Sequence, residues 1–112
     1  MVSYLLVLLN TMEGEINMTS NYEGNNFKEL IQERVLVDFY ANWCGPCKML
    51  APELEKVSDV IKVLKVNVDN NQDLAREYGV MSIPCVILFD KGTEVKRNVG
   101  FMPEGKLREF IK

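Results

Sequence analysis

The 112-residue chain is long enough for one domain, and its 47% apolar content is ordinary for a packed core. Its net charge of −3 comes from 13 basic and 16 acidic residues scattered along the chain, so there is no basic footprint for nucleic acid or an anionic membrane surface. The absence of histidine excludes Ser-His and Cys-His nucleophilic catalysis and any histidine-ligated metal, and 3 cysteines are too few for a disulfide-stapled secreted scaffold.

Residues 1–12 carry no lysine or arginine. Their apolar stretch, Tyr4 to Leu9, is too short to span a bilayer, and no small-x-small cleavage pattern follows it. Residues 1–14 therefore read as an N-terminal extension, with Met12 as an alternative start, and residues 15–112 as the domain. The Asn17-Met18-Thr19 sequon matters only in an exported chain. Glu15 to Thr19 has the composition of a short edge strand. Asn25 or Asn26 is placed to cap a helix bearing Phe27, Leu30 and Ile31 at helical spacing.

Val35 to Tyr40 is too uniformly apolar for a half-exposed strand, which predicts a central strand with helices on both faces of its sheet. Asp38 is the anomaly within it. A buried carboxylate is unfavourable unless it is paired or has a chemical task; the plain alternative is a strand end that meets water.

Next comes Trp43-Cys44-Gly45-Pro46-Cys47-Lys48, followed by Leu50, Leu54, Val57 and Ile61 at steps of four, three and four. This pattern predicts a strand end, a tight turn and a long amphipathic helix in which Pro52 introduces a kink. A Cys-x-x-Cys pair in that context reads first as a redox dithiol. A helix's first turn can bring the two sulfurs together, and its unpaired N–H groups favour the thiolate of the first. Lys48 adds a nearby positive charge.

Val63 to Val68 is expected as a strand with Leu64, Val66 and Val68 on one face and Lys65 on the other. Asn70 or Asn71 is placed to cap a short helix holding Leu74 and Tyr78, closed by Gly79. Ile83-Pro84 then leads into the strand Cys85 to Phe89, a position where a cis peptide bond is an option. Asp90 to Thr93 is a turn, Glu94 to Val99 an antiparallel partner with Val95, Arg97 and Val99 on one face, and Gly100 a break. Pro103 and Glu104 open a last helix with Leu107, Phe110 and Ile111 as its apolar positions. The order β-α-β-α-β-α-β-β-α predicts an α/β fold with a central mixed sheet flanked by helices on both faces.

From about Glu15 onward the chain resembles the thioredoxin family. The resemblance rests on Val-Asp-Phe-Tyr-Ala-Asn-Trp-Cys-Gly-Pro-Cys-Lys-Met at 37–49, Ala51-Pro52, Lys65-Val66-Asn67-Val68-Asp69, Tyr78-Gly79-Val80, Ile83-Pro84 and Val99-Gly100, all in order. A bare Cys-x-x-Cys would be weak; the Trp-Cys-Gly-Pro-Cys form, with an aspartate six residues before its first cysteine and Ile-Pro downstream, is highly specific.

The resemblance implies the thioredoxin fold and a protein-disulfide reductase. Cys44 would be the attacking thiolate and Cys47 the resolving thiol. Asp38 would be the buried carboxylate exchanging protons with Cys47, and Lys65 the lysine that moderates its shifted pKa. Pro84 would be a cis-proline beside the dithiol, with the Ile83 backbone pairing an extended substrate segment. Trp43, Gly45, Pro46, Val99 and Gly100 would form the surrounding docking surface. No cofactor beyond the Cys44–Cys47 disulfide and no metal are implied. The expected partners are a flavin-dependent thioredoxin reductase and diverse disulfide-containing proteins, for a cytoplasmic monomer that binds neither nucleic acid nor membrane.

The chain departs from the family pattern at Cys85, where threonine is usual, at Ser82, where glycine is common, and in ending at Lys112. Cys85 reads as a small buried strand residue or as a third thiol near the dithiol. The competing functions are an exported oxidant or isomerase, a metal site on Cys44, Cys47 and Cys85, and a binding subunit whose chemistry is incidental. The Gly-Pro between the cysteines points to the reducing end of the family.

Overall fold

A computed structural model describes residues 18–112. The expected extension at 1–14, the alternative start at Met12 and all but the end of the expected Glu15–Thr19 strand lie outside the described residues. The first described strand, β1, is Thr19–Asn21. It is followed by α1 (Phe27–Leu30), β2 (Val35–Tyr40), α2 (Gly45–Val57), β3 (Lys62–Asn67), α3 (Gln72–Glu77), β4 (Cys85–Asp90), β5 (Thr93–Val99) and α4 (Glu104–Phe110).

The five strands form one sheet in the order β1-β3-β2-β4-β5. β1 and β2 both pair parallel with β3, while β4 pairs antiparallel with β2 and with β5. The expected mixed sheet is present, and β2 lies at its centre with every residue from Val35 to Phe39 buried.

Because strand side chains alternate, two separate cores follow from the one sheet. Val35, Val37 and Phe39 pack with Leu64, Val66, Ile87 and Phe89 against Phe27 and Ala75, the side of α1 and α3. Leu36, Val63, Val86 and Leu88 pack on the other side against Leu50, Leu54 and Val57 of α2 and Leu107 of α4. Asp38 has the parity of Leu36, so it faces α2. Phe27 anchors the first core, with its ring centroid 5.5 Å from Tyr22, 6.5 Å from Phe39, 5.2 Å from Tyr78 and 5.9 Å from Phe89. Truncating it to alanine strips the common neighbour from four rings and leaves a cavity. Urea unfolding of Phe27→Ala is expected to show a loss of about 3–5 kcal/mol.

Local details differ from the sequence expectation in ways that physics explains. α2 starts at Gly45, inside the Cys-x-x-Cys motif, because Pro46 suits a first helical turn. It ends at Val57, so Ile61 reaches the core from the following turn, where its N–H donates to the Val57 carbonyl at 3.3 Å. Neither expected asparagine cap forms. Asn26 precedes α1 in a left-handed conformation with no side-chain cap, and Asn71 donates instead to the Asn67 carbonyl at 2.9 Å. β3 begins one residue early, and both Val63 and Leu64 are buried because helices cover both faces. A register shift between Leu88 and Phe89 leaves Val95 without a partner, so Arg97 and Val99 share a face while Val95 is bulged out and exposed. No helix among the described residues is long and apolar enough to cross a membrane.

Candidate active site

The dithiol sits where β2 gives way to α2. Cys44 is the N-cap of that 13-residue helix, in extended conformation, and Cys47 lies in its first turn. The helix geometry sets their Cα atoms 5.2 Å apart, and the two cysteines are joined as a disulfide. The N–H of Cys47 donates to the Cys44 sulfur at 3.2 Å. One of the orphan donors of a helix N-terminus is therefore aimed at a sulfur, in the place where an oxygen cap ordinarily stands. That bond and the aligned peptide dipoles stabilise negative charge on Cys44 more than on Cys47.

Around the disulfide, Cys44, Cys47 and Ala41 form a small buried cluster, with Tyr40, Val68 and Ile83 packed against it. The Ile83–Pro84 peptide bond is cis. The Gly100 N–H donates to the Pro84 carbonyl at 2.8 Å, which draws the end of β5 beside the proline. Gly100 takes a φ of +104°, a region open to glycine and strained for other residues, so the turn that brings its N–H to the proline rests on glycine's backbone freedom, although a side chain would have room there. Val99 next to it is 56% exposed although it is apolar, and Trp43 is 70% exposed. The structure thus brings Cys44, Cys47, Ile83, Pro84, Val99 and Gly100 to one end of the sheet, with Trp43, Gly45 and Pro46 exposed in the turn above.

Sequence reasoning did not single out two features near this rim, Asp69 and Met81. Trp43, expected on the docking surface, is held by a hydrogen bond from its indole N–H to Asp69 Oδ2 at 2.9 Å. Asp69 is itself fixed, its N–H donating to Asn67 Oδ1 at 2.9 Å. Asn67 and Asp69 stand in the Lys-Val-Asn-Val-Asp stretch, but a contact 26 residues away in sequence leaves no periodic signal. Met81, 95% exposed and two residues before Ile83, is the other.

Asp38 lies under the dithiol's helix and is 1% exposed, which removes the alternative of a strand end meeting water. Among the described residues, its Oδ1 is buried without a hydrogen-bond partner. Burial pushes its pKa from 3.8 up to about 7, against a smaller downward pull from the Lys65 ammonium. Lys65 stands opposite Asp38 in the β2–β3 register. Its ammonium lies 4.8 Å from the centroid of the Tyr40 ring, so Tyr40 shares the lysine with the carboxylate.

Cys85 points away from this group. It is 1% exposed on the α1 and α3 side of the sheet, a free cysteine whose thiol is pushed up by burial. The reading as a packed strand residue accounts for that position. Among the described residues, no group of three or more cysteine, aspartate or glutamate side chains is placed to hold a metal ion.

Comparison with known proteins bears on this geometry. The family described as Thioredoxin matches residues 18–112. A thioredoxin of Bacillus subtilis (strain 168) is 48% identical over 81 residues, covering 69% of this chain and 78% of that protein. One from Rickettsia felis is 40% identical over 101 residues, covering 84% and 96%. Among solved structures, a mutant thioredoxin from Halobacterium salinarum NRC-1 superposes with a TM-score of 0.79 at 36% identity, covering 88% of this chain and 93% of that one. Agreement of this extent in residues and in fold, with a dithiol at the head of α2, makes the chain a member of the thioredoxin family and a protein-disulfide reductase.

Proposed function

We propose that Cys44 and Cys47 reduce target disulfides in two exchange steps, with Asp38 as the proton acceptor of the second. In the first, the Cys44 thiolate attacks one sulfur of the target disulfide. A mixed disulfide forms, and the target's other sulfur leaves as a thiolate that takes a proton. In the second, Cys47 gives its proton to the Asp38 carboxylate and its sulfur attacks Cys44. The second target thiolate is released, leaving the target reduced by two electrons and the protein oxidised.

Lys65 acts on this step through its field at Asp38. The Ile83 backbone, beside cis-Pro84, serves as the edge that receives an extended target segment, within an apolar rim of Trp43, Gly45, Pro46, Val99 and Gly100. A flavin-dependent thioredoxin reductase returns the electrons, and the reaction needs no bound cofactor. The protein works as a cytoplasmic monomer, with its domain at 15–112 and residues 1–14 as an extension.

The observation that carries this reading is the Cys44 sulfur at the head of a 13-residue helix, accepting the Cys47 N–H at 3.2 Å. It supports Cys44 as the sulfur on which negative charge is favoured, and hence as the attacking one. The test is a titration of the Cys44–Cys47 couple against thiol–disulfide buffers, read by the fluorescence of Trp43. The expected midpoint lies near about −270 mV, the range of a reductant, and a value at or above about −200 mV would assign the protein to isomerase-like or oxidising chemistry.

A further inference from the structure

β5 and the glycine just past its end hold both ends of the segment that leads into Ile83. At the near end, α3 closes in a Schellman turn: the Gly79 N–H donates to the Arg76 carbonyl at 3.1 Å and the Val80 N–H to the Ala75 carbonyl at 2.8 Å. Gly79 takes a φ of +65° there. This turn leaves the carbonyls of Tyr78 and Gly79 outside the helix, at its negative end. Both are taken by one guanidinium. Arg97 donates from Nη2 to Tyr78 O at 2.7 Å and from Nη1 to Gly79 O at 3.3 Å.

Glu94, one bulge back on the same strand, fixes the other side of that fork. It accepts from Arg97 Nε at 2.7 Å and from Nη2 at 2.6 Å. Three residues beyond Arg97, the Gly100 N–H holds the Pro84 carbonyl. Met81 and Ser82, both exposed, are thus strung between two anchors, Arg97 on β5 and Gly100 just past its end, and Ile83 meets the dithiol cluster at the far anchor.

We propose that Arg97 is a positioning residue for substrate docking: by clamping the Tyr78 and Gly79 carbonyls to β5 it holds the Val80–Ile83 backbone in place, ready to pair with a target segment. This rests on the reading of Ile83 as the docking edge. A planar guanidinium held by a carboxylate can grip two carbonyls with a rigid fork of fixed spacing, which an ammonium does not offer. The edge is thereby ordered before a target arrives, and the ordering does not have to be supplied on binding. Arg97 lies on the face opposite Asp38, so the clamp acts on docking and leaves the redox couple alone.

The test uses a short oxidised peptide disulfide and the same peptide N-methylated beside its cysteine, which removes the backbone donor that edge pairing needs. With the unsubstituted chain, KM for the plain peptide should be lower than for the methylated one by about tenfold. In Arg97→Ala that difference should collapse, through a rise in KM for the plain peptide, while the midpoint of the Cys44–Cys47 couple stays where it was. NMR order parameters of the Met81 and Ser82 amides should fall in the same variant. If the unsubstituted chain does not discriminate between the peptides, the docking reading fails and the proposal with it. If it does discriminate and Arg97→Ala discriminates equally, the clamp alone is overturned. Full recovery in Arg97→Lys would also overturn it, since charge without the fork would then suffice.

Discussion

Cys47→Ser is expected to react once with a target disulfide and stop, accumulating as a covalent one-to-one adduct through Cys44, whereas Cys44→Ser forms no adduct at all. The two serines remove chemically equivalent atoms from sites of nearly equal burial, 5% for Cys44 and 4% for Cys47. What separates them is their place on α2. Cys44 is the cap that receives the N–H of Cys47, and Cys47 is already inside the helix. The positive end of the helix therefore favours the thiolate of the first cysteine, and in the proposed mechanism it attacks first while the second acts only once a mixed disulfide exists. Multiple turnover should drop by at least about a thousandfold in either variant, since losing a covalent nucleophile commonly removes that much or more. Mass spectrometry of each variant after exposure to an oxidised substrate separates the roles. An adduct with Cys44→Ser and none with Cys47→Ser would reverse the order of attack. Serine is close to cysteine in volume, so circular dichroism should show both variants folded.

How much of this was legible beforehand depended on how local each determinant is. The run Val35 to Tyr40 announced a strand covered on both sides, and the sheet does bury Val35 to Phe39 between α1 and α3 on one face and α2 and α4 on the other. The order of elements and the place of the dithiol were equally readable, because turn residues and hydrophobic period are written in adjacent positions. What escaped was set by contacts distant in sequence. Asn26 and Asn71 have the right chemistry for helix caps, yet Asn26 turns left-handed and Asn71 spends its amide on Asn67. The bulge at Val95 comes from the pairing of β4 with β5 and has no mark in the alternating pattern of β5 itself. Trp43 finds Asp69 across 26 residues, and Arg97 finds Tyr78 across 19. Asp38 is the instructive case between these. Its oddity within an apolar strand was visible, but only the full enclosure of the folded chain decides that it is buried with one oxygen unpartnered.

That enclosure makes stability depend on pH in an uncommon direction. The carboxyl of Asp38 titrates near 3.8 when exposed and at about 7 in the fold, raised by burial and held back in part by Lys65. Between these values the native chain retains a proton that the unfolded chain has lost. Stability then falls as pH rises from about 4 to 7, because folding favours the protonated form. At about 1.4 kcal/mol per pH unit, Asp38 withholds about 4 kcal/mol from the folded state at and above neutral pH, a large share of a domain's total. Asp38→Asn cannot ionise. Its urea-unfolding free energy should match that of the unsubstituted chain near pH 4 and exceed it by up to about 4 kcal/mol at pH 8, reduced by whatever its buried amide leaves unpaired. The same variant should be slower in releasing the mixed disulfide, because in the proposed mechanism Cys47 loses its proton acceptor. Gains in stability paired with a loss in resolution would mark Asp38 as a carboxylate kept for chemistry at a structural penalty. A stability difference that stays constant from pH 4 to 8 would instead mean that the carboxyl titrates alike in the folded and unfolded chain, and its role as the base would fall with it.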